Sequence, residues 1–111
     1  MSVAILEYVD TSGGSPFARW FSGLDAIAAA KVATALYRLE QGNFSRVEGV
    51  GSGVFEYKIH FGLGYRVYFG KDGDKLVILL GGGSKKRQNA DIAASLTCWA
   101  DYKIRKDKEN M

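Results

Sequence analysis

A chain of 111 residues, 47% of them hydrophobic, has the size of one ordinary domain and is too short for two. It has no run of about 18 uncharged apolar residues, and the opening MSVAILEYVDTSGG carries no basic segment ahead of its apolar stretch, so no spanning helix or signal peptide is expected and a cytoplasmic location is. The single cysteine, Cys98, rules out an internal disulfide and a multi-thiolate zinc site.

Along the chain, Val3 to Val9 is a β-branched and apolar run closed by Asp10 and TSGGS, which reads as a first strand. Pro16 follows Ser15, a candidate N-cap, with Phe17, Trp20, Phe21 and Leu24 at helical spacing. From Asp25, a second candidate cap, Ile27, Ala28, Val32, Ala35, Leu36 and Leu39 form one stripe up to Gln41, and Gly42-Asn43 gives the stop. The period then changes from 3.6 to 2. Val54 to Phe61, Tyr65 to Phe69 and Leu76 to Leu80 read as three antiparallel strands, the last two joined at Asp72-Gly73. After Gly81, Gly82, Gly83 and Ser84 a last helix carries Ile92, Leu96 and Trp99 on one face and gives way to a polar tail over residues 103–111. The expected fold is therefore α+β, a single domain over 1–111 with helices on one face of an antiparallel sheet.

The charge of +3 is unevenly spread. Residues 1–57 hold four Lys/Arg against six Asp/Glu, a balance of −2, and residues 58–111 hold eleven against six, a balance of +5. That asymmetry suits a nucleic-acid or acidic-protein partner. Strand alternation puts Phe55, Tyr57, Ile59 and Phe61 on the core side, joined by Val67 and Phe69. Glu56, Lys58, His60, Arg66 and Tyr68 then share the other, open face. Lys85, Lys86 and Arg87 fall where the last helix starts, at the positive end of its dipole, where each cation costs roughly 0.3–1 kcal/mol. Three violations in one turn point to an anion pocket built from backbone N–H groups and cations. GVGSGV precedes a strand and GGGSKK lacks the Walker spacing, so neither glycine run reads as a nucleotide motif, and no cofactor or metal is expected.

The stretch GNFSRVEGVGSGVFEYKIHFGLGYRVYFGKDGDKLVILLGGGSKKRQNADI resembles the signature of the HigB-like addiction-module-killer branch of the RelE/ParE toxin superfamily. The likeness extends outward to FARWFSGL and Trp99. Its pieces are GNF after the second helix, GVFE, GYRVYF, and LLGGGSK followed by Gln88 and Asp91-Ile92. The resemblance implies a RelE-like fold and the toxin of a type II toxin-antitoxin pair. Such a toxin is an endoribonuclease that cuts messenger RNA, usually on the ribosome, and is held inactive by a helix-turn-helix antitoxin. It also implies phosphate-handling cations at Lys58, Arg66 and Lys85. In the family pattern the first is more often arginine, aspartate commonly stands where this chain has Ser84, and cysteine is frequent where it has Gly81.

The implied chemistry needs no metal: the ribose 2′-hydroxyl attacks the adjacent phosphate, leaving a 2′,3′-cyclic phosphate. Lys58, Arg66 and Lys85 would stabilise the developing charge. His60 is the candidate acid-base group, Tyr68 a stacking or proton-handling group, and Lys86, Arg87 and Glu56 further RNA contacts. The alternatives are a gyrase-inhibiting toxin of the same superfamily and a catalytically inactive antitoxin-binding module.

Overall fold

The computed structural model describes residues 2–110. The elements run β1 (Ala4–Glu7), α1 (Pro16–Ser22), α2 (Ala26–Glu40), β2 (Val47–Gly51), β3 (Val54–Ile59), β4 (Tyr65–Lys71), β5 (Leu76–Ser84) and α3 (Gln88–Glu109). The two cap signals are realised. Ser15 Oγ accepts from the Ala18 N–H at 3.0 Å and Asp25 Oδ1 from the Ala28 N–H at 2.8 Å, each satisfying a donor that its helix leaves free.

The five strands form one sheet in the order β1-β5-β4-β3-β2. Strands β2 to β5 are an antiparallel meander, and β1 joins parallel to β5, with Ala4 opposite Leu76 and Glu7 opposite Leu79. The sheet is therefore mixed, where the sequence suggested an antiparallel one, because the meander carries β5 back beside the first strand. Two further departures have physical causes. VEGVG, too glycine-rich to read as a strand, forms β2 by pairing with β3, Val47 opposite Tyr57. The glycines expected as a loop are the end of β5, hydrogen-bonded to β4 with Gly81 opposite Tyr68 and Gly83 opposite Arg66.

Those glycines are kept by packing. A Cβ on Gly82 would fall inside the Trp20 ring of α1, and one on Gly70 of β4 inside the Trp99 ring of α3. Each tryptophan thus lies flat on bare backbone, on opposite faces of the sheet.

Both faces are covered. On the first, Phe17 of α1 and Val32, Ala35 and Leu39 of α2 pack on Tyr57, Ile59, Val67, Phe69, Val77 and Leu79, with Phe55 at the margin. This is the expected core, except that Ile27 is 63% exposed. It sits one residue ahead of Ala28, which takes the inward position in the first turn of α2. On the second face α3 brings Trp99, Ile92 and Leu96 onto Tyr8, Val54, Tyr68, Ile78 and Leu80. A fold with one open sheet face is thus corrected to one with helices on both.

Residues 103–109, expected as a polar tail, continue α3. What holds this end is polar and long-range: the Tyr102 hydroxyl donates to Asp72 at 2.7 Å, Lys106 pairs with the same carboxylate, and Arg105 Nη2 donates to the Val9 carbonyl at 2.5 Å.

Candidate phosphate-handling site

The sheet register makes Lys58 and Arg66 direct neighbours across β3 and β4, and Glu56 and Tyr68 the next pair along. Because α3 lies over this face, its members differ greatly in exposure. Glu56 is 1% exposed, Tyr68 0% and Arg66 7%. Glu56 and Tyr68, expected to meet RNA, are thus sealed from it.

The buried members form a cluster. The Glu56 carboxylate accepts from Gln88 Nε2 at 2.9 Å and lies 3.4 Å from Arg66 Nε. That second approach is an ion pair too bent for a hydrogen bond, and Arg66 Nε has no hydrogen-bond partner among the described residues. Arg66 Nη1 donates to the Gly64 carbonyl at 2.7 Å. Burial, followed by the neighbouring Glu56 carboxylate, pushes the Tyr68 phenol far above its ordinary value. A phenol held so firmly neutral is a poor acid near pH 7. Gln88, which the sequence offered only as part of a motif, joins α3 to this cluster.

The buried Arg66 and the exposed Lys85 meet at one glycine. Gly64 has φ +73°, and a Cβ built on it would lie 3.3 Å from Lys85 Cβ and 3.4 Å from Arg66 Nη1. Arg66 and Lys85 therefore approach each other over bare backbone in a conformation that L residues rarely adopt. Lys58 is half-buried and its Nζ lies 3.2 Å from Glu48 Oε2. Register sets Lys58 beside Arg66 and the Gly64 backbone sets Arg66 beside Lys85, and two of the three cations already have a carboxylate partner.

The expected anion pocket at the start of the last helix has a different form. Lys85, Lys86 and Arg87 make a separate 3-10 turn, and α3 proper begins at Gln88 with Asp91 in its first turn. The Lys85 N–H donates to the Leu63 carbonyl at 3.3 Å, so it is not free for a phosphate. The three side chains are exposed, and attraction by them is through charge rather than through a cradle of backbone donors.

His60 does not share the Arg66 face. β3 ends at Ile59, the Phe61 N–H closes a tight turn onto the Ile59 carbonyl at 2.9 Å, and strand alternation stops there. His60 instead lines a cavity of about 240 Å³ between α2 and β3 with Lys31, Arg38, Arg46 and Lys58.

A groove of about 700 Å³ runs between α1 and α3 over Gly81 and Gly82. Asp91 lines it, with Oδ2 buried and unpartnered among the described residues, and burial pushes its carboxyl up against the opposing pull of Arg87. Cys98 lines it too, its thiol pushed up by burial, which suits a packing residue better than a reactive one. The cations named above, Arg87 apart, lie outside this groove. Among the described residues no three His, Cys, Asp or Glu side chains converge as metal ligands, and no helix is long and apolar enough to cross a membrane.

No family model matches the chain. It is 44% identical over 77 residues to an uncharacterized protein of Haemophilus influenzae, the match covering 68% of this chain and 78% of that protein. The chain belongs to the same family as that protein. The kinship carries no activity with it, so the chemistry rests on the side chains.

Proposed function

We propose that the chain is a RelE/ParE-type toxin, a metal-independent endoribonuclease that cuts messenger RNA and is neutralised by an acidic surface of a cognate antitoxin. The observation that carries the reading is the approach of Lys85 and Arg66 over Gly64, with Lys58 as the cross-strand neighbour of Arg66. In this reading Lys58, Arg66 and Lys85, neighbours from β3, β4 and the turn after β5, hold one phosphate of the substrate, with the exposed Lys86 and Arg87 beside them. In the reaction the 2′-hydroxyl oxygen bonds to phosphorus, the bond to the 5′-oxygen breaks, and the products are a 2′,3′-cyclic phosphate and a 5′-hydroxyl. The cations stabilise the charge that builds on the non-bridging oxygens, where one well-placed donor is worth roughly 2.7–4 kcal/mol. His60 acts from the α2 side, through the cavity it shares with Lys58. Glu56 and Gln88 act by positioning the guanidinium.

Lys85 gives the cleanest test, because its side chain is exposed and has no ion-pair partner among the described residues. Lys85→Ala should keep the parent's melting temperature and cut a ribosome-bound messenger roughly 10²–10³-fold more slowly. An unchanged cleavage rate, or a parent protein that leaves RNA whole, counts against the reading.

A second reading has its own support in the ion pairs of Arg66 with Glu56 and Lys58 with Glu48. Cations neutralised in this way suit a partner-binding module of the same fold that does not cut RNA. Growth arrest by the parent that disappears in Lys85→Ala favours the nuclease. Tight antitoxin binding without growth arrest favours the module.

A further inference from the structure

Residues 1–57 contain only four Lys/Arg, and three of them, Lys31, Arg38 and Arg46, line the single cavity between α2 and β3. Lys31 and Arg38 are two turns apart on α2, with Thr34 between them on the same face, and Arg46 comes from the segment just before β2. Lys58 of β3 and His60 just past its end also line it. A half of the chain that is acidic on balance has therefore concentrated its cations at one spot, against their mutual repulsion. Among the described residues Lys31, Arg38 and Arg46 have no carboxylate in ion-pair range, while Lys58 is paired with Glu48. An aromatic ring is part of the same wall. Phe61 lines the cavity with Lys31 Nζ 5.3 Å from its centroid, and it stacks on Tyr65.

We infer that this cavity is a second anion site that holds a backbone phosphate of single-stranded RNA, with Phe61 as the surface on which an adjoining base stacks. Cations that track a backbone beside an aromatic platform are how single strands are held without sequence readout. At about 240 Å³ the cavity admits one phosphate and its sugar, not a duplex. The guanidinium forks of Arg38 and Arg46 suit phosphate oxygens. Lys58 belongs to both places, lining this cavity and standing beside Arg66 across the strands. The strand would thus pass from the α2 cavity over the end of β3 to the Arg66–Lys85 rim. The inference rests on the nuclease reading for its substrate class, but its test does not need cleavage.

The probe is a short labelled single-stranded DNA oligonucleotide, which lacks the 2′-hydroxyl and cannot be cut by the proposed reaction. Its affinity is measured by fluorescence anisotropy over a range of salt concentrations. For single strands the slope of log affinity against log salt is roughly 0.7 per phosphate contact. The Arg38→Ala/Arg46→Ala protein, altered only at exposed side chains, gives up the one phosphate held there and should therefore lose about 0.7 from that slope. Arg19→Ala is the control, since Arg19 lies on α1 away from the cavity and is paired with Asp10 at 3.6 Å, and it should leave the slope unchanged. No oligonucleotide binding by the parent, an unchanged slope in the double variant, or equal flattening by Arg19→Ala would each overturn the site. So would a polyglutamate peptide of equal charge that competes as well as the oligonucleotide does. A flattened slope from a protein that leaves RNA intact sinks the nuclease reading and keeps this site, and RNA cleavage with an unchanged slope does the reverse.

Discussion

Arg66→Ala is the obvious substitution for disabling the proposed site, and the burial of its partner predicts that it will disable the fold first. The side chains of Arg66 and Glu56 are 9% and 1% exposed, so removing the guanidinium strands a carboxylate away from water with the Gln88 amide as its remaining close donor. Breaking a buried ion pair from one side costs about 3–5 kcal/mol. The 3.4 Å approach to Nε is not a hydrogen bond, which argues for the lower end, about 3 kcal/mol. Domains of this kind have about 5–15 kcal/mol in total, so a marginal parent would be partly unfolded by the change. Urea unfolding followed by the fluorescence of Trp20 and Trp99, which lie on opposite faces of the sheet, measures the loss. Glu56→Gln/Arg66→Met, which removes both charges and keeps much of the volume, should recover most of it. A loss under about 1 kcal/mol in Arg66→Ala, or a double variant no more stable than the single one, would refute the description of a sealed, mutually dependent pair. Loss of RNA cleavage in Arg66→Ala is accordingly evidence about catalysis only after correction for the fraction folded.

Three further outcomes follow from other parts of the molecule. Lys58→Arg should cut RNA as fast as the parent or faster, since a guanidinium can grip a phosphate with two parallel bonds while still reaching Glu48; much slower cleavage by a folded variant would mean that Lys58 moves a proton. Gly82→Ala should cost roughly 1–3 kcal/mol by overpacking against Trp20, whereas Gly81→Ala, whose nearest neighbour would be Ser95 Oγ at 3.6 Å, should cost far less; equal losses in urea unfolding would dismiss the packing argument. The Tyr8 phenol is pushed up to about 12, first by burial and then by its hydrogen bond to Asp101. The folded state therefore keeps a proton that the unfolded chain gives up near 10, and this stabilisation is present below that value and lost as pH rises through about 12. Tyr8→Phe should show a shallower fall in stability across that alkaline window, and a fall as steep as the parent's would remove Tyr8 as its cause.

The fold was legible where a local signal sufficed. Ser15-Pro16 and Asp25 announced their helices because a cap is a bond between near neighbours in sequence, and Tyr57, Ile59, Val67 and Phe69 announced the core through their period of two. What stayed hidden depended on partners far along the chain. Whether Glu56, Arg66 and Tyr68 face water or a helix is decided by α3, which starts at Gln88, and alternation says only that they face away from the other core. Gly82 and Gly83 read as a loop because their reason is the close approach of Trp20 and Asp91, a relation that no local window contains. The basic character read from the second half of the chain missed Lys31, Arg38 and Arg46, whose spacing in sequence hides their convergence on one cavity.

The two basic places differ in how their charge is managed, and the difference bears on what each can do. At the rim, Arg66 is fixed by Glu56 and the Gly64 carbonyl and Lys58 by Glu48, so these cations are oriented before any ligand arrives and little is lost in ordering them. Such preorganisation matters most where charge develops during a reaction. At the α2 cavity, Lys31, Arg38 and Arg46 have no carboxylate partners among the described residues, so they attract anions more strongly and hold them less rigidly. Binding there should respond steeply to salt, while events at the rim, where two of the three charges are already paired, should respond less. Raising the ionic strength should therefore weaken oligonucleotide binding far more than it slows cleavage of RNA already bound. If single-turnover cleavage fell with salt as steeply as affinity does, the division between a loosely held capture site and a rigid reacting site would be wrong, and one diffuse basic surface would describe both.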